Sequence, residues 1–140
     1  MTFTIDPIDP ADLPEPSPAY THGTLVRGAE RTLYISGQPP WRTKGEIPAD
    51  FPGQCRLAWE NVTTVLAGAG MSVRNLVKVT IYLSDRQYRE ANSQIRHEVL
   101  GDHRPAITII ITDIYSEDWL LEIEGVAVAS DTVQVAEQKE

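Results

Sequence analysis

The apolar positions of this chain fall into two kinds of spacing. Val77, Val79, Ile81 and Leu83 alternate with Lys78, Thr80, Tyr82 and Ser84, the period of a half-buried strand. Leu25-Val26-Arg27 and Leu33 to Ser36 are shorter strand candidates. Gly28 to Arg31 between them is turn material, so an N-terminal hairpin ending at Gly37-Gln38 is predicted. Arg104 to Thr112 is the most β-branched stretch, and it reads as a strand buried on both faces. Pro105 blocks continuation of the helical pattern before it. Leu120 to Ala129 is a last strand. Between these runs the period lengthens. Asp50 can cap a helix with apolar residues at 51, 55, 58, 62, 65 and 69, which Gly68 and Gly70 end. Asp85 can cap a second helix carrying Tyr88, Ala91, Ile95 and Val99, which Gly101 stops.

The predicted order is hairpin, helix, strand, helix, strand, strand. That is an α+β domain, one sheet with both helices on one face. The opposite face carries Thr108, Ile110, Leu120, Val126 and Val128, too apolar to meet water. A second subunit is therefore expected to cover it, making a homo-oligomer. Five prolines and acidic residues mark 1–18 as an extended arm, polyproline-like on a surface or else disordered. The folded domain is expected over 19–130, with a tail at 131–140.

Composition narrows the function classes. No run approaches the roughly 18 apolar residues of a membrane span, and the acidic N-terminus does not resemble a secretory signal. Cys55 is the single cysteine and lies in the apolar stripe of the first helix, so it reads as a small core residue and not a nucleophile. These features favour the cytoplasm. The formal charge of −8, with no basic cluster larger than Arg42 to Lys44, argues against nucleic acid or an anionic membrane as partner. His22, His97 and His103 have no metal-ligand spacing, and no Ser-His-Asp signature is present; no metal is expected.

Five stretches in order resemble the Rid (YjgF-like) family over roughly residues 17–129. They are Pro18-Ala19-Tyr20; Ile35-Ser36-Gly37-Gln38; Gln54 to Gly70 with Asn61-Val62 and Ala69-Gly70; Val77 to Thr80 with Asn92 on the next helix; and Pro105-Ala106 with Glu122-Ile123-Glu124. The resemblance implies a chorismate-mutase-like α+β fold assembled as a homotrimer with clefts between subunits. It implies hydrolysis of enamines and imines such as 2-iminopropanoate to keto acid and ammonia, without metal or cofactor. It also implies an arginine after Pro-Ala that clamps the substrate carboxylate, and a glutamate on the last strand that positions or activates water.

The chain departs from that pattern at one position: Ile107 stands where the arginine is expected. A charged bidentate contact is worth roughly 2–5 kcal/mol when partly buried, and a carboxylate buried against isoleucine would be unpaired. Simple 2-imino acids are therefore disfavoured, which points to an arginine-lacking branch with another unsaturated amine as substrate, aminomuconate-type compounds among the possibilities. Arg104 is three residues, about 10 Å, away and aimed at the other strand face. Arg42 and Lys44 are better placed as a displaced cation, or are solvated loop charges. Glu122 is the expected catalytic residue, with Glu124 on the same strand face as a charge that shifts its pKa or a solvated neighbour. Tyr20 and Asn92 are expected to hydrogen-bond substrate or water, Ser36 and Gly37 to line the cleft with backbone groups, and Ile107 to form an apolar floor. Trp41 and Trp119 line a larger apolar pocket or pack at an interface. Two alternatives stand beside the deaminase: a non-catalytic small-ligand-binding trimer of the same fold, and a ribonuclease, which the charge disfavours.

Overall fold

The computed structural model describes residues 2–131. Its centre is a four-stranded sheet of β3 (Arg31–Gln38), β6 (Leu121–Ala129), β4 (Leu76–Leu83) and β5 (Ala106–Ile111), side by side in that order. β6 runs antiparallel to both β3 and β4, while β5 runs parallel to β4. The parallel pair requires a crossover, which helix α2 (Arg89–Leu100) supplies. Helix α1 (Phe51–Gly68) starts where its cap is: the Gly53 amide donates to Asp50 Oδ1 at 3.2 Å, and Pro52 sits in the first turn.

One core joins the helices to one face of the sheet. Phe51, Cys55, Trp59, Val62 and Leu66 of α1 and Ile95 and Leu100 of α2 meet Ile35, Val79, Ile81, Leu83, Leu121 and Ile123. The expected stripe on α1 is correct at 51, 55, 58 and 62, but Val65 and Ala69 are only half-buried. Trp59 and Leu66 take inner places instead, because α1 packs against both sheet and α2 and buries a stripe wider than one row.

Four expectations need correction. The N-terminal hairpin does not form: β2 (Gly23–Arg27) pairs with β1 (Thr4–Ile8) in a separate two-stranded ribbon, and β3 pairs with β6. Backbone pairing of Thr4–Ile8 thus replaces the polyproline or disordered arm there. Strand β5 is not buried on both faces. It is an edge strand, with Thr108, Ile109 and Ile110 exposed and only Ile107 and Ile111 packed against the core. Val77 does not share the core with Val79, because a register shift between Leu76 and Lys78 turns Leu76 inward in its place. Gly125 permits that shift, since a Cβ there would lie 3.0 Å from the Lys78 carbonyl oxygen and 3.2 Å from the Leu76 side chain. The predicted tail, Asp131 apart, lies outside the described residues.

Candidate active site

The other face of the sheet carries Tyr34 and Ser36 on β3, Glu122, Glu124 and Val126 on β6, Lys78, Thr80 and Tyr82 on β4, and Thr108 and Ile110 on β5. No helix covers it, and Tyr34 is 78% exposed. Chemistry gathers at the end of this face where β3 leaves and β6 enters. Ile35 pairs with Gly125 and Gln38 with Ile123, so Ser36 and Gly37 together oppose a single residue, Glu124. This is a β-bulge, a device that re-aims a strand beside a site. The bulge brings the Gly37 backbone against Glu122: a Cβ at residue 37 would overlap the carboxylate oxygen and lie 2.8 Å from the carboxyl carbon. Only glycine fits while the carboxyl holds this position.

Partial burial raises the Glu122 pKa above its ordinary value, and the charge of Glu124 raises it further. Tyr82, the cross-strand partner of Glu122, is also shifted upward. Burial is the main cause, followed by the Glu124 charge, donation of the phenol hydrogen to Glu124, and the Glu122 charge. A carboxyl held above its usual range can carry a proton nearer neutrality and give it up, which is what acid–base work requires.

Two buried amides of α1 fix the surrounding loops. Gln54 donates from Nε2 to the carbonyls of Pro48 (2.9 Å) and Asp118 (3.1 Å), and its Oε1 accepts from the Leu120 amide (2.8 Å). Asn61 donates from Nδ2 to the carbonyls of Pro39 and Trp41, both at 2.9 Å. The loop after β3 and the loop before β6 are thereby tied to one helix. Trp41 and Trp119 meet edge-on, with ring centroids 5.6 Å apart. A cavity of about 360 Å³, lined by Gln38, Trp41, Arg42, Asn61 and Val65, lies behind Trp41 on the helix side and does not include Glu122.

The remaining expected residues do not all converge within one chain. The Thr21 amide donates to the Pro105 carbonyl (3.4 Å), and Thr21 bridges to Ala106, so Tyr20 stands beside the start of β5. Ile107 pairs with Val79 and packs against the core on the helix side, the face opposite Glu122. The register puts Ile107 three residues along and two strands across from Glu122, about 14 Å by standard strand dimensions. Tyr20 and Ile107 thus lie together at the β5 edge, and Ser36, Gly37 and Glu122 lie together where β3 leaves the sheet. Asn92 differs from its expected role. It is wholly enclosed on α2 with neither side-chain polar atom partnered, so in this chain it reaches no ligand on the bare face.

Arg42 pairs with Glu60 at 2.8 Å, Lys44 is exposed, and Arg104 faces the N-terminal arm beside Asp9 and Glu15. Cys55 is buried, and its thiol is pushed up to about 12, chiefly by burial. Among the described residues no three His, Cys, Asp or Glu side chains gather to hold a metal, and no helix is long and apolar enough to cross a membrane. Sequence reasoning passed over Gln54 and Tyr82. A glutamine beside an apolar helical row was an available signal for Gln54, whereas Tyr82 meets Glu122 and Glu124 only through strand pairing.

Comparison with known proteins agrees with this architecture. The family described as Endoribonuclease L-PSP matches residues 11–129. TdcF of Escherichia coli strain K12, named as a candidate reactive intermediate deaminase, is 32% identical over 114 residues, covering 77% of this chain and 88% of TdcF. The 2-iminobutanoate/2-iminopropanoate deaminase of the same organism is 30% identical over 112 residues, covering 76% and 88%. The solved structure of TdcF with bound serine superposes with a TM-score of 0.67 at 29% identity, covering 89% of this chain and 99% of that one. The Rid-family protein YyfB of Yersinia pestis, of unknown function, superposes with a TM-score of 0.77 at 25% identity, covering 91% and 99%. Matched along most of its length in both sequence and fold, the chain belongs to the Rid (YjgF) family.

Proposed function

We propose that the chain is a cofactor-independent cytoplasmic deaminase that hydrolyses an enamine or imine, R₂C=NH + H₂O → R₂C=O + NH₃, at a cleft between copies of itself. The observation that carries this reading is the half-buried Glu122 carboxyl, raised in pKa and held against the Ser36–Gly37 bulge. In its acid form Glu122 gives a proton to the enamine carbon or imine nitrogen. The resulting carboxylate then takes a proton from the water that attacks the C=N carbon, giving a carbinolamine. Glu122 next protonates its nitrogen and takes back the hydroxyl proton as the C–N bond breaks, so ammonia and the carbonyl leave and the group ends as it began. Ser36 and Gly37 supply backbone polar groups beside it.

A homotrimer with inter-subunit clefts is the assembly we propose, and the separation of these two groups of residues within one chain supports it. A head-to-tail ring sets the Tyr20–Ile107 edge of one copy against the Glu122 end of the next. The exposed Tyr34 and Ile110 on the bare face support burial between copies. Ile107 in place of the carboxylate-binding arginine makes the chain an arginine-lacking member, whose substrate is an unsaturated amine other than a simple 2-imino acid.

Ammonia release is measured with imines generated in place by an oxidase. Glu122→Gln is expected to slow the best substrate by about 10²–10⁴-fold; a substrate turned over equally well by wild type and variant removes Glu122 from the mechanism. Wild type is expected not to accelerate 2-iminopropanoate hydrolysis, and rapid turnover there refutes the reading of Ile107. Binding of a small amine with no turnover of any imine favours the non-catalytic ligand-binding trimer. A monomer at micromolar concentration in the ultracentrifuge refutes the shared cleft.

A further inference from the structure

We propose that Trp41, Tyr115 and Trp119 form an aromatic subsite at the end of the sheet that carries Glu122, and that it holds the flat apolar part of an amine-bearing ligand that has no carboxylate. The inference rests on the proposed site for its chemistry and adds the class of ligand.

The rings form one connected cluster. Trp119 contacts Trp41 edge-on at 5.6 Å with an interplanar angle of 70°, and Tyr115 at 6.4 Å and 34°. They are not core residues: Tyr115 is 95% exposed and Trp41 54%. Large aromatic surfaces left in contact with water mark places where something else binds. The cluster is also fixed in position. The Trp41 carbonyl is held by Asn61, and the Asp118 carbonyl and Leu120 amide on either side of Trp119 are held by Gln54. Such backbone anchoring spares a ligand the cost of ordering the loops.

The cluster adjoins the reacting end of the sheet. Gln38 pairs with Ile123, so the chain just after β3 and the chain just before β6 leave the sheet at the same end. Trp119 is three residues ahead of Glu122, no more than about 11 Å along an extended backbone. A ring with a short amine-bearing arm spans that distance. Charge selects the rest of the ligand. Glu122 and Glu124 share a face, and Arg42 in the adjoining loop is already paired with Glu60. Lys78 on the same face is engaged by Thr108, and the two carboxylates outweigh Lys44, the exposed cation of the adjoining loop, so a protonated amine or iminium is drawn to this end and to the indole faces and a carboxylate is disfavoured.

Calorimetry on the full chain with benzylamine and butylamine tests the subsite without requiring turnover. Benzylamine is expected to bind about tenfold more tightly, and Tyr115→Ala or Trp119→Leu to abolish the difference. Because Tyr115 is exposed, its variant keeps the test valid even if the tryptophan variant misfolds. Equal affinities, or no binding of either amine, overturn the subsite, as does an aryl preference that both variants retain. Ammonia release from the corresponding aryl and alkyl imines, made by an amine oxidase, separates the two claims. Turnover at equal rates keeps the deaminase and rejects the subsite. Aryl-selective binding lost in the variants, with no turnover, keeps the subsite and rejects the deaminase.

Discussion

The two faces of the central sheet are built from the same four strands and serve opposite ends. On the helix side Val79, Ile81, Leu83 and Leu121 are completely buried within one apolar cluster. On the bare side the alternate residues include two glutamates, a lysine, two tyrosines and an exposed isoleucine. One face secures the fold by apolar burial. The other tolerates shifted titratable groups and exposed apolar surface, which the fold alone does not need. A strand's period of two lets a single segment such as Leu121–Ala129 serve both purposes.

The largest contrast between the faces is expected in stability. Trp59→Ala, on the helix side, is expected to cost about 3–5 kcal/mol, read from urea denaturation; a loss near zero would mean that α1 does not pack as described. Gly37→Ala forces a methyl group into the Glu122 carboxylate. Because the carboxyl end of Glu122 can swing aside, stability should change by less than about 1 kcal/mol, while ammonia release falls as the carboxyl is displaced, and full activity would refute the contact. Tyr34→Arg, on the bare face, should leave folding within about 0.5 kcal/mol while splitting the oligomer in sedimentation. An unchanged sedimentation coefficient would locate assembly elsewhere.

The smallest effect concerns proton linkage at Glu122. Its folded pKa lies above the ordinary 4.5, so the stability tied to its proton is complete below that value and is lost as pH rises through the folded pKa. Glu122→Gln has no charge to bury. It should match wild type in urea midpoint at acid pH and exceed it slightly at pH 7; a variant weaker than wild type at pH 7 contradicts the sign.

The sequence discloses the elements better than their partners. The alternation at 77–83 and the helical spacing at 51–62 identify β4 and α1 because each reflects a local period. The pairing of β2 with β1 and the edge position of β5 depend on contacts between distant segments, and no period encodes them. Two misreadings, of Val77 and Asn92, have separate physical causes. The irregularity at Leu76–Lys78 displaces Val77 because a bulge breaks the alternation on which the reading relied. Ile107 and Glu122 were expected at a cleft between subunits, and strand register sets them on opposite faces of one chain, a separation that no local pattern encodes. Asn92 is a polar residue on a buried helical row, and only packing reveals how completely it is enclosed. The Ser36–Gly37 bulge was invisible for a similar reason: Ser-Gly-Gln looks like the end of a strand, and its extra residue is recognisable only against Glu124.

That bulge also bears on handedness. The backbone at Gly37 lies against one flank of the Glu122 carboxyl, so in the proposed reaction an enamine would meet the proton donor from the open side. Protonation of an enamine carbon bearing two different substituents would then create a single enantiomer. Carried out in deuterated water, the reaction would leave deuterium on one face of that carbon, a stereochemical record of which side of the cleft holds the acid.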